Sequence, residues 1–313
     1  MLGRNSSAAA AALGPRARFG RRSRKAKPSW VGWCFIGPFL LVFLLTLVAP
    51  VLYAIYLSLY QTKLIGGTSF VGLANYVAAF HDPQFHTALW HVVLLFLVQV
   101  PIMLAVSTAA ALALDSARLH FSRLFRISLF VPYAVPSVVA ALMWGFIYGV
   151  NFGLVHDLNS LLGTDLPDPL TSSYILAALG NIITWEFIGF NMIILYSALT
   201  TVPRHRYDAA QIDGAGTFQI IRAIKLPAMR HAFVVTLIFA LIGSFQLFSE
   251  PNVLKSLAPN SITSGFTPNM YVYNLSFSGQ EFNYASAIAI AMGIITMIAA
   301  FVVQVLGMRR QRA

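Results

Sequence analysis

Polar side chains inside apolar segments are the residues of this sequence best placed to bind a small molecule. Glu186 follows Trp185 in the apolar stretch 173–199, and Asn191 lies five residues further along. Because a carboxylate near the centre of a bilayer costs about 3 kcal/mol, Glu186 is expected to face a cavity or a partner helix. Carboxylates and amides beside an aromatic face are typical of sites for hydroxylated solutes such as sugars.

Similar polar and aromatic residues recur in neighbouring apolar stretches, and we predict that they line a pathway for a polar solute. Hydrogen bonding between helices, or an aromatic belt at the membrane surface, remains an open alternative for each residue. The predicted pathway residues are Trp144, Tyr148, Asn151, Trp185, Glu186, Asn191, Phe245 and Gln246.

The sequence contains no recognisable catalytic or metal-binding pattern. His81, His86 and His91 lie five residues apart, a spacing that places them on different faces of a helix. No phosphate-binding loop of the form G-x-x-x-x-G-K-[ST] occurs, so the chain has no recognisable ATP site of its own. The sequence therefore predicts a chain that is not an enzyme by itself, with no catalytic residue, metal ligand or bound cofactor.

The composition indicates a membrane protein. Of the 313 residues, 58% are hydrophobic and 10% are charged, whereas about 25% are charged in soluble domains. The single cysteine, Cys34, excludes an internal disulfide and a structural zinc site. A helix needs about 20 apolar residues to cross a bilayer. An all-α fold with six spans is predicted, near Val31–Leu59, Leu89–Leu114, Leu124–Tyr148, Ser173–Leu199, Ala232–Phe248 and Ala285–Gly307.

Basic residues distinguish the two sides of the membrane. Lys and Arg accumulate in short cytoplasmic loops, and here they occur before the first span, around Arg118, in 202–230 and after Gly307. The opposite side has only Lys63 and Lys255. We therefore predict cytoplasmic N and C termini. The net charge of +11 is then a signal of topology and gives little support to nucleic-acid binding.

The first 28 residues form a basic, Ala-rich arm that we predict to be disordered and cytoplasmic, because it has few large apolar residues to pack. The apolar stretch that follows is too long for a signal peptide and lacks a convincing cleavage site, so we expect a retained first helix. Residues 29–313 are then the six-helix membrane domain.

The cytoplasmic segment 202–227, between the fourth and fifth spans, is long enough to carry a function. Pro203 suits the first turn of a helix, and 204–213 contains no helix breaker. Gly214 follows an aspartate in a typical turn or C-cap sequence, and a second helical run leads to Pro227. The segment therefore predicts a helix, a turn and a second helix.

The first of these helices could dock on a partner protein. Ala209 and Ala210 are small enough for a close approach of two backbones, while Tyr207 and Ile212 could fill a groove of the partner. An amphipathic helix on the membrane surface is the alternative. The spacing of the residues does not decide between them.

The segment resembles the cytoplasmic motif of permease subunits of bacterial binding-protein-dependent ABC importers, especially the carbohydrate-importer branch related to the maltose permeases. The family motif reads Glu-Ala-Ala, three residues, Gly, nine residues, Ile, one residue, Leu-Pro. Asp208 replaces the glutamate and is one methylene shorter. Weaker likenesses occur at Val131–Pro136 and Glu250–Tyr271. The remaining motif positions are occupied by Ala209, Ala210, Gly214, Ile224, Leu226 and Pro227.

This resemblance implies a permease of the bacterial cytoplasmic membrane that imports a carbohydrate or a related polar solute. An extracytoplasmic binding protein would deliver the solute to the outer loops 153–171 and 250–284. Two ATPase subunits would hold ATP and Mg, and a second permease subunit, a related but different chain, would complete the pathway. The resemblance places the contact with the ATPase at Tyr207, Asp208, Ala209, Ala210, Asp213, Gly214 and Ala215.

Two other functions fit the residues. A secondary transporter or channel would use Glu186 and Glu250 in ion-driven transport without an ATPase, although no clear internal repeat supports it. A membrane anchor or receptor would recruit a cytoplasmic partner through 204–227 without moving a solute. Polar residues within the fourth and fifth spans argue against the second alternative.

Overall fold

The computed structural model describes residues 30–63, 65–116 and 121–312. The basic arm 1–28 and Arg118 lie outside the described residues, so the disorder predicted for the arm stays a prediction. The described chain is helical apart from one β-hairpin and the connecting loops.

The chain divides into two units, Met1–Val51 and Leu52–Ala313. The first described helices follow one another without a break, as α1 (Trp30–Phe43), a π-helical turn (Leu44–Val48) and α2 (Ala49–Ser58). Large apolar side chains in these helices are exposed, as expected for a helix in contact with lipid.

The remaining elements alternate between long apolar helices and short connecting pieces. The chain continues with β1 (Tyr60–Lys63), β2 (Gly67–Phe70), α3 (Ala74–His81), α4 (Pro83–Leu114), α5 (Ser122–Phe130), a 3₁₀ turn (Val131–Ala134), α6 (Ser137–Ile147), α7 (Leu154–Leu162) and α8 (Ile175–Thr200). It ends with α9 (Arg204–Ile212), α10 (Thr217–Ile220), a π-helical turn (Ile221–Lys225), α11 (Leu226–Ala228), α12 (Arg230–Phe245), α13 (Ser249–Leu254), α14 (Pro268–Phe277) and α15 (Phe282–Arg312).

Five helical segments of the described chain are long and apolar enough to cross a membrane. They comprise α1 with α2, α4, α8, α12 with α13, and α15, and they coincide with five of the six predicted spans. The end of the molecule that carries α9 to α11 is called the basic end below, and the end that carries α7 and α14 is called the opposite end.

The third predicted span, Leu124–Tyr148, differs from the expectation of one continuous helix. α5 and α6 together are apolar enough for a sixth span, but their axes are bent by 100°. Pro132 and Pro136 explain the break, because proline has no N–H to donate to the preceding turn. Val135 has the extended ψ of 128° that a residue before proline prefers.

The connections at the opposite end contain more secondary structure than the sequence analysis predicted. The strands β1 and β2 pair antiparallel from Tyr60 with Phe70 to Lys63 with Gly67. The outer loops 153–171 and 250–284 contain α7, α13 and α14. The hairpin was missed because its residues are mostly exposed and carry little of the apolar alternation that marks a half-buried strand.

Helices α4 and α8 pack against each other through small and polar residues. The Gln99 side chain donates a hydrogen bond to the Thr184 hydroxyl (3.1 Å), and the Ser107 hydroxyl donates to the Ile188 carbonyl (3.1 Å). Gly180 lies against the Gln99 side chain, where a larger residue would press on it. In lipid, close approach and hydrogen bonds of this kind hold helices together.

Asp82 joins α4, α14 and α15 at the opposite end. One carboxylate oxygen caps α4 by accepting from the Gln84 N–H (2.8 Å). The other accepts from the hydroxyls of Tyr271 (2.6 Å) and Tyr284 (2.8 Å). Burial alone would raise the pKa of Asp82, but these hydrogen bonds, with one from the Phe85 N–H, hold it below its usual value. The ionised carboxylate therefore fixes the start of α4.

Gly189 is the glycine of α8 whose replacement should disturb packing most directly. A Cβ at this position would collide with the Leu129 carbonyl and lie 2.7 Å from the Phe130 Cα. Because both are backbone atoms, neither can rotate away, and overpacking of this kind costs about 1–3 kcal/mol or more. Gly189→Ala is expected to lower the thermal unfolding midpoint of the purified protein in detergent.

Gly293→Ala provides the matched control, since a Cβ on Gly293 in α15 would meet nothing within 4 Å. An equal midpoint for Gly189→Ala and Gly293→Ala would contradict the close contact between α8 and the end of α5.

Candidate functional site

The C-terminus of α9 has the hydrogen bonds of a Schellman motif. Gly214 has a φ of +78° and follows the C-cap residue Asp213. The Ala215 N–H donates to the Ala210 carbonyl (2.9 Å), and the Gly214 N–H donates to the Gln211 carbonyl (3.0 Å). This is the pattern that satisfies the last carbonyls of a helix before a turn. The predicted helix, turn and second helix are confirmed, because α10 follows directly.

Much of the surface of α9 is exposed. Ile212 at its C-terminus has an exposed fraction of 86%, and Phe218 at the start of α10 has one of 72%. Large apolar side chains exposed together are typical of a surface that binds another protein. The exposed members of the predicted coupling set are Asp208, Ala209, Asp213 and Gly214.

Tyr207 is placed differently from the other large residue of α9. Its hydroxyl is buried without a hydrogen-bond partner among the described residues, and the Lys225 ammonium lies 5.5 Å from its ring centroid. Burial, together with a smaller effect of the Asp115 carboxylate, raises the pKa of Tyr207. The side chain thus packs against its own chain, whereas the sequence analysis expected it to project toward a partner.

A cavity of about 450 Å³, called the central cavity below, lies between α4, α8, α12 and α13. No Lys, Arg or His of the described residues lines it. Aromatic rings cover part of its wall, from Tyr133, Phe187, Phe190, Phe239 and Phe248. The amide, hydroxyl and carboxyl groups on the wall belong to Gln99, Asn191, Ser244, Gln246, Ser249 and Glu250. Aromatic faces with a few polar groups suit a polar, hydroxylated solute.

Two predicted pathway residues, Asn191 and Gln246, lie on this wall. Asn191 is almost fully buried, and its amide donates to the Phe187 carbonyl (2.9 Å) one turn earlier. The Gln246 side chain is exposed and makes no hydrogen bond to another described residue. The Gln246 side-chain amide is therefore available to a solute, whereas the Asn191 amide already donates one hydrogen bond within α8.

Glu186 is buried and lies outside the central cavity wall. Its exposed fraction is 3%, and its carboxyl group lies next to that of Glu250, which lies on the wall. The Glu186 Oε2 atom has no partner among the described residues. The expectation that Glu186 faces a partner element is thus met by α13, and Glu250 is the carboxyl that meets the cavity.

Three more predicted pathway residues form an aromatic cluster beside the cavity. The ring of Trp144 lies 5.4 Å from that of Tyr148 and 5.9 Å from that of Trp185, measured between centroids. The Tyr148 hydroxyl accepts from the Asn181 amide (2.8 Å) and donates to the Ala178 carbonyl (3.3 Å). These contacts hold α6 against α8, so the cluster has the role of helix packing that the sequence analysis kept as an alternative.

The last two predicted pathway residues lie away from the central cavity. Asn151 is exposed in the loop between α6 and α7. Phe245 is buried and borders a second cavity of about 630 Å³, which Gln246 also lines. The predicted set is thus divided between the wall, a buried position behind it, a packing cluster, a second cavity and a loop.

Several wall residues were missing from the predicted set, among them Gln99, Tyr133 and Glu250. Gln99 could have been found by the argument that selected Glu186, because it is a polar residue in the middle of an apolar span. Tyr133 could not have been found in this way, because the bend between α5 and α6 is what brings it to the cavity.

Gly214→Ala is expected to loosen the C-terminus of α9. A side chain at φ +78° costs about 1–2 kcal/mol, although a Cβ would meet nothing within 4 Å. This corresponds to a roughly 5- to 30-fold change in a local opening equilibrium. Hydrogen exchange of the peptide 204–215, followed by mass spectrometry, should be faster by that factor.

Gly216→Ala is the matched control two residues away, since Gly216 has an ordinary φ of −71° and an added Cβ would make only an ordinary contact with Gln219 Oε1 (3.9 Å). Equal exchange rates in the two variants would show that the αL conformation of Gly214 does not stabilise α9.

Comparison with known proteins shows the family to which this chain belongs. Residues 116–312 match the family model described as binding-protein-dependent transport system inner membrane component. The sulfoquinovosyl glycerol transport system permease protein SmoG of Agrobacterium fabrum is 32% identical, over 88% of this chain and 93% of its own length. The arabinooligosaccharides transport system permease protein AraP of Bacillus subtilis is 30% identical, over 90% and 88%.

A solved structure has the same fold. It is the bacterial alginate ABC transporter in complex with an alginate pentasaccharide-bound periplasmic protein, with a TM-score of 0.78 and 18% identity, over 90% of this chain and 94% of the other. The family match, the two relatives and the fold together identify this chain as a multi-pass membrane protein of the binding-protein-dependent ABC importers, and it belongs to their family of permease subunits.

Proposed function

We propose that this chain forms part of an ATP-driven importer for a carbohydrate or a related polar solute. The observation that carries the proposal is the position of the central cavity, whose walls include α8 and α12, the two helices that flank the exposed helix α9 in the chain. A solute site and a surface for a partner are therefore connected by the same two helices. The relatives SmoG and AraP, whose names specify carbohydrate substrates, support the class of solute.

The basic end is the proposed docking surface for the ATPase. The exposed Ile212 and Phe218 supply apolar contacts, and the Schellman turn at Gly214 gives α9 a defined end. The predicted coupling set from Tyr207 to Ala215 lies in α9 and this turn. Within this set, the Tyr207 side chain packs against its own chain and supports α9 from the buried side. ATP and Mg would be held by two copies of the ATPase subunit and not by this chain.

The opposite end is the proposed docking surface for an extracytoplasmic binding protein. The loops 153–171 and 250–284 contain α7 and α14 and so include helical segments outside the spans. The alginate transporter of the same fold was solved with a periplasmic protein bound, which supports such an arrangement. A second, related permease subunit would supply the rest of the pathway in the bacterial cytoplasmic membrane, with both termini of this chain in the cytoplasm.

Coupling in such an importer requires that the ATPase binds two states of the permease with different affinity. Only this difference in binding free energy can shift the permease from one state to the other. In the proposed cycle, closure of the ATPase subunits on ATP moves α9, and α8 and α12 carry that movement to the central cavity.

Purification of the chain from its native membrane is expected to bring an ATPase with it. Hydrolysis of ATP should rise when a binding protein loaded with carbohydrate is added. Ile212→Glu places a charge on the exposed apolar surface of α9 and should remove most of the ATPase without changing the amount of permease in the membrane.

Ile65→Glu is the matched control, because Ile65 is 93% exposed in the hairpin loop at the opposite end. Retention of the ATPase by Ile212→Glu at the level of the Ile65→Glu variant would contradict docking through α9. Absence of any ATPase from the unaltered complex would contradict the proposed function itself.

Gln246→Leu tests the central cavity as the solute pathway. Loss of one hydrogen bond to the solute is expected to lower the rate of uptake into membrane vesicles by up to about tenfold. Gln61→Leu, the same substitution on the exposed strand β1, should leave uptake unchanged. Equal uptake by both variants would place the solute pathway elsewhere.

A further inference from the structure

At the basic end, one lysine contacts two structural elements besides its own. The Lys225 ammonium forms an ion pair with the Asp115 carboxylate (2.6 Å) and lies 5.5 Å from the ring centroid of Tyr207. Asp115 is the C-cap of α4, and Tyr207 is in α9. Lys225 itself is the last residue of the π-helical turn that leads through α11 to α12.

The three side chains are largely withdrawn from water. The exposed fractions are 14% for the Lys225 side chain and 18% for that of Asp115, and the Tyr207 hydroxyl is buried. Salt therefore screens this pair less than an exposed pair. A negative charge at the C-terminus of a helix is unfavourable, because the helix dipole is negative there as well. The positive charge of the Lys225 ammonium therefore offsets the charge of the Asp115 carboxylate and the partial negative charge of the last carbonyls of α4.

The elements that meet at Lys225 extend to the central cavity. Gln99, Val100 and Met103 of α4 lie on its wall. The α12 residues on the wall are Phe239, Ala240, Ile242, Gly243 and Ser244. α4 and α12 also pack against each other. A movement of α9 that is transmitted through Lys225 would thus reach the cavity through α4 and α12, in addition to α8.

We propose that Lys225 is a positioning residue that links α9 to α4 and to the start of α12, so that the three elements move together when the ATPase binds ATP. The inference rests on the proposed function and adds the contact through which the movement passes. Asp115 anchors the link on α4, and the Tyr207 ring anchors it on α9. The π-helical turn suits this role, since such turns occur often at functional sites.

A purely local role for the ion pair predicts something different. If Asp115 and Lys225 only stabilised the basic end, their loss would lower the amount of folded protein or its affinity for the ATPase. It would leave the response of the cavity to ATP unchanged in the complexes that do form. The test must therefore report on the cavity and on ATP binding separately.

The test uses the whole complex of permease and ATPase, with a reporter in the cavity wall. Cys34 is the single cysteine of the chain and can be replaced by serine. Gly243→Cys then places a thiol on the wall, at a position where a Cβ meets nothing within 4 Å. The rate of labelling by N-ethylmaleimide is measured with and without ATP and vanadate, and trapped nucleotide is counted in parallel.

In the reporter protein, ATP with vanadate should change the labelling rate. Lys225→Ala and Asp115→Ala should reduce that change roughly fivefold or more, the lower range of allosteric coupling, while nucleotide is trapped as before. The exchanged pair Asp115→Lys with Lys225→Asp should restore most of the response. Lys63→Ala removes an exposed cation from strand β1 at the opposite end, away from the proposed ATPase surface, and should have little effect.

An unchanged response in Lys225→Ala would overturn the link, and so would a lost response that the exchanged pair fails to restore. Failure of the proposed function gives a different result, because the reporter protein with Lys225 intact would then bring no ATPase and trap no nucleotide. The two failures are therefore distinguishable in the same experiment.

Discussion

The absence of hydrogen-bond partners in lipid is the constraint on which the rest of this structure depends. A helix can be interrupted within the membrane only where protein or a water-filled cavity satisfies the freed polar groups. Here the two interruptions, between α5 and α6 and between α12 and α13, both border the central cavity, through Tyr133 and through 246–248. The cavity thus lies where the helices end, and the ends supply many of its polar groups.

The same constraint explains how the spans are held together. In lipid no hydrophobic effect drives apolar side chains together. α4 and α8 therefore associate through close packing at Gly180 and hydrogen bonds such as that from Gln99 to Thr184. Asp82 at one end and the pair of Lys225 with Asp115 at the other add charged contacts near the membrane surfaces. α4 takes part in each of these contacts, which makes it the common frame of the cavity and both ends.

A shared fold does not specify the solute. SmoG and AraP have names that specify different carbohydrates, although each aligns with most of this chain. In the proposed function, specificity therefore resides in side chains on the proposed pathway and in the proposed partners that complete it. In this chain the cavity wall combines five aromatic rings with Gln246 and Glu250 and carries no basic residue of the described chain. Those residues are where relatives with different solutes are expected to differ.

Five of the six predicted spans and the helix, turn and helix of 202–227 follow from the sequence alone, because apolar length, Pro203 and Gly214 act through local physics. The family motif could be read for the same reason, as its residues are close in the chain. Three contacts become visible only in the folded chain: Glu186 lies behind Glu250, Tyr207 turns inward, and Asp115 meets Lys225, 110 residues later. These contacts depend on which helix faces rest together, and spacing along one helix carries no information about its neighbours.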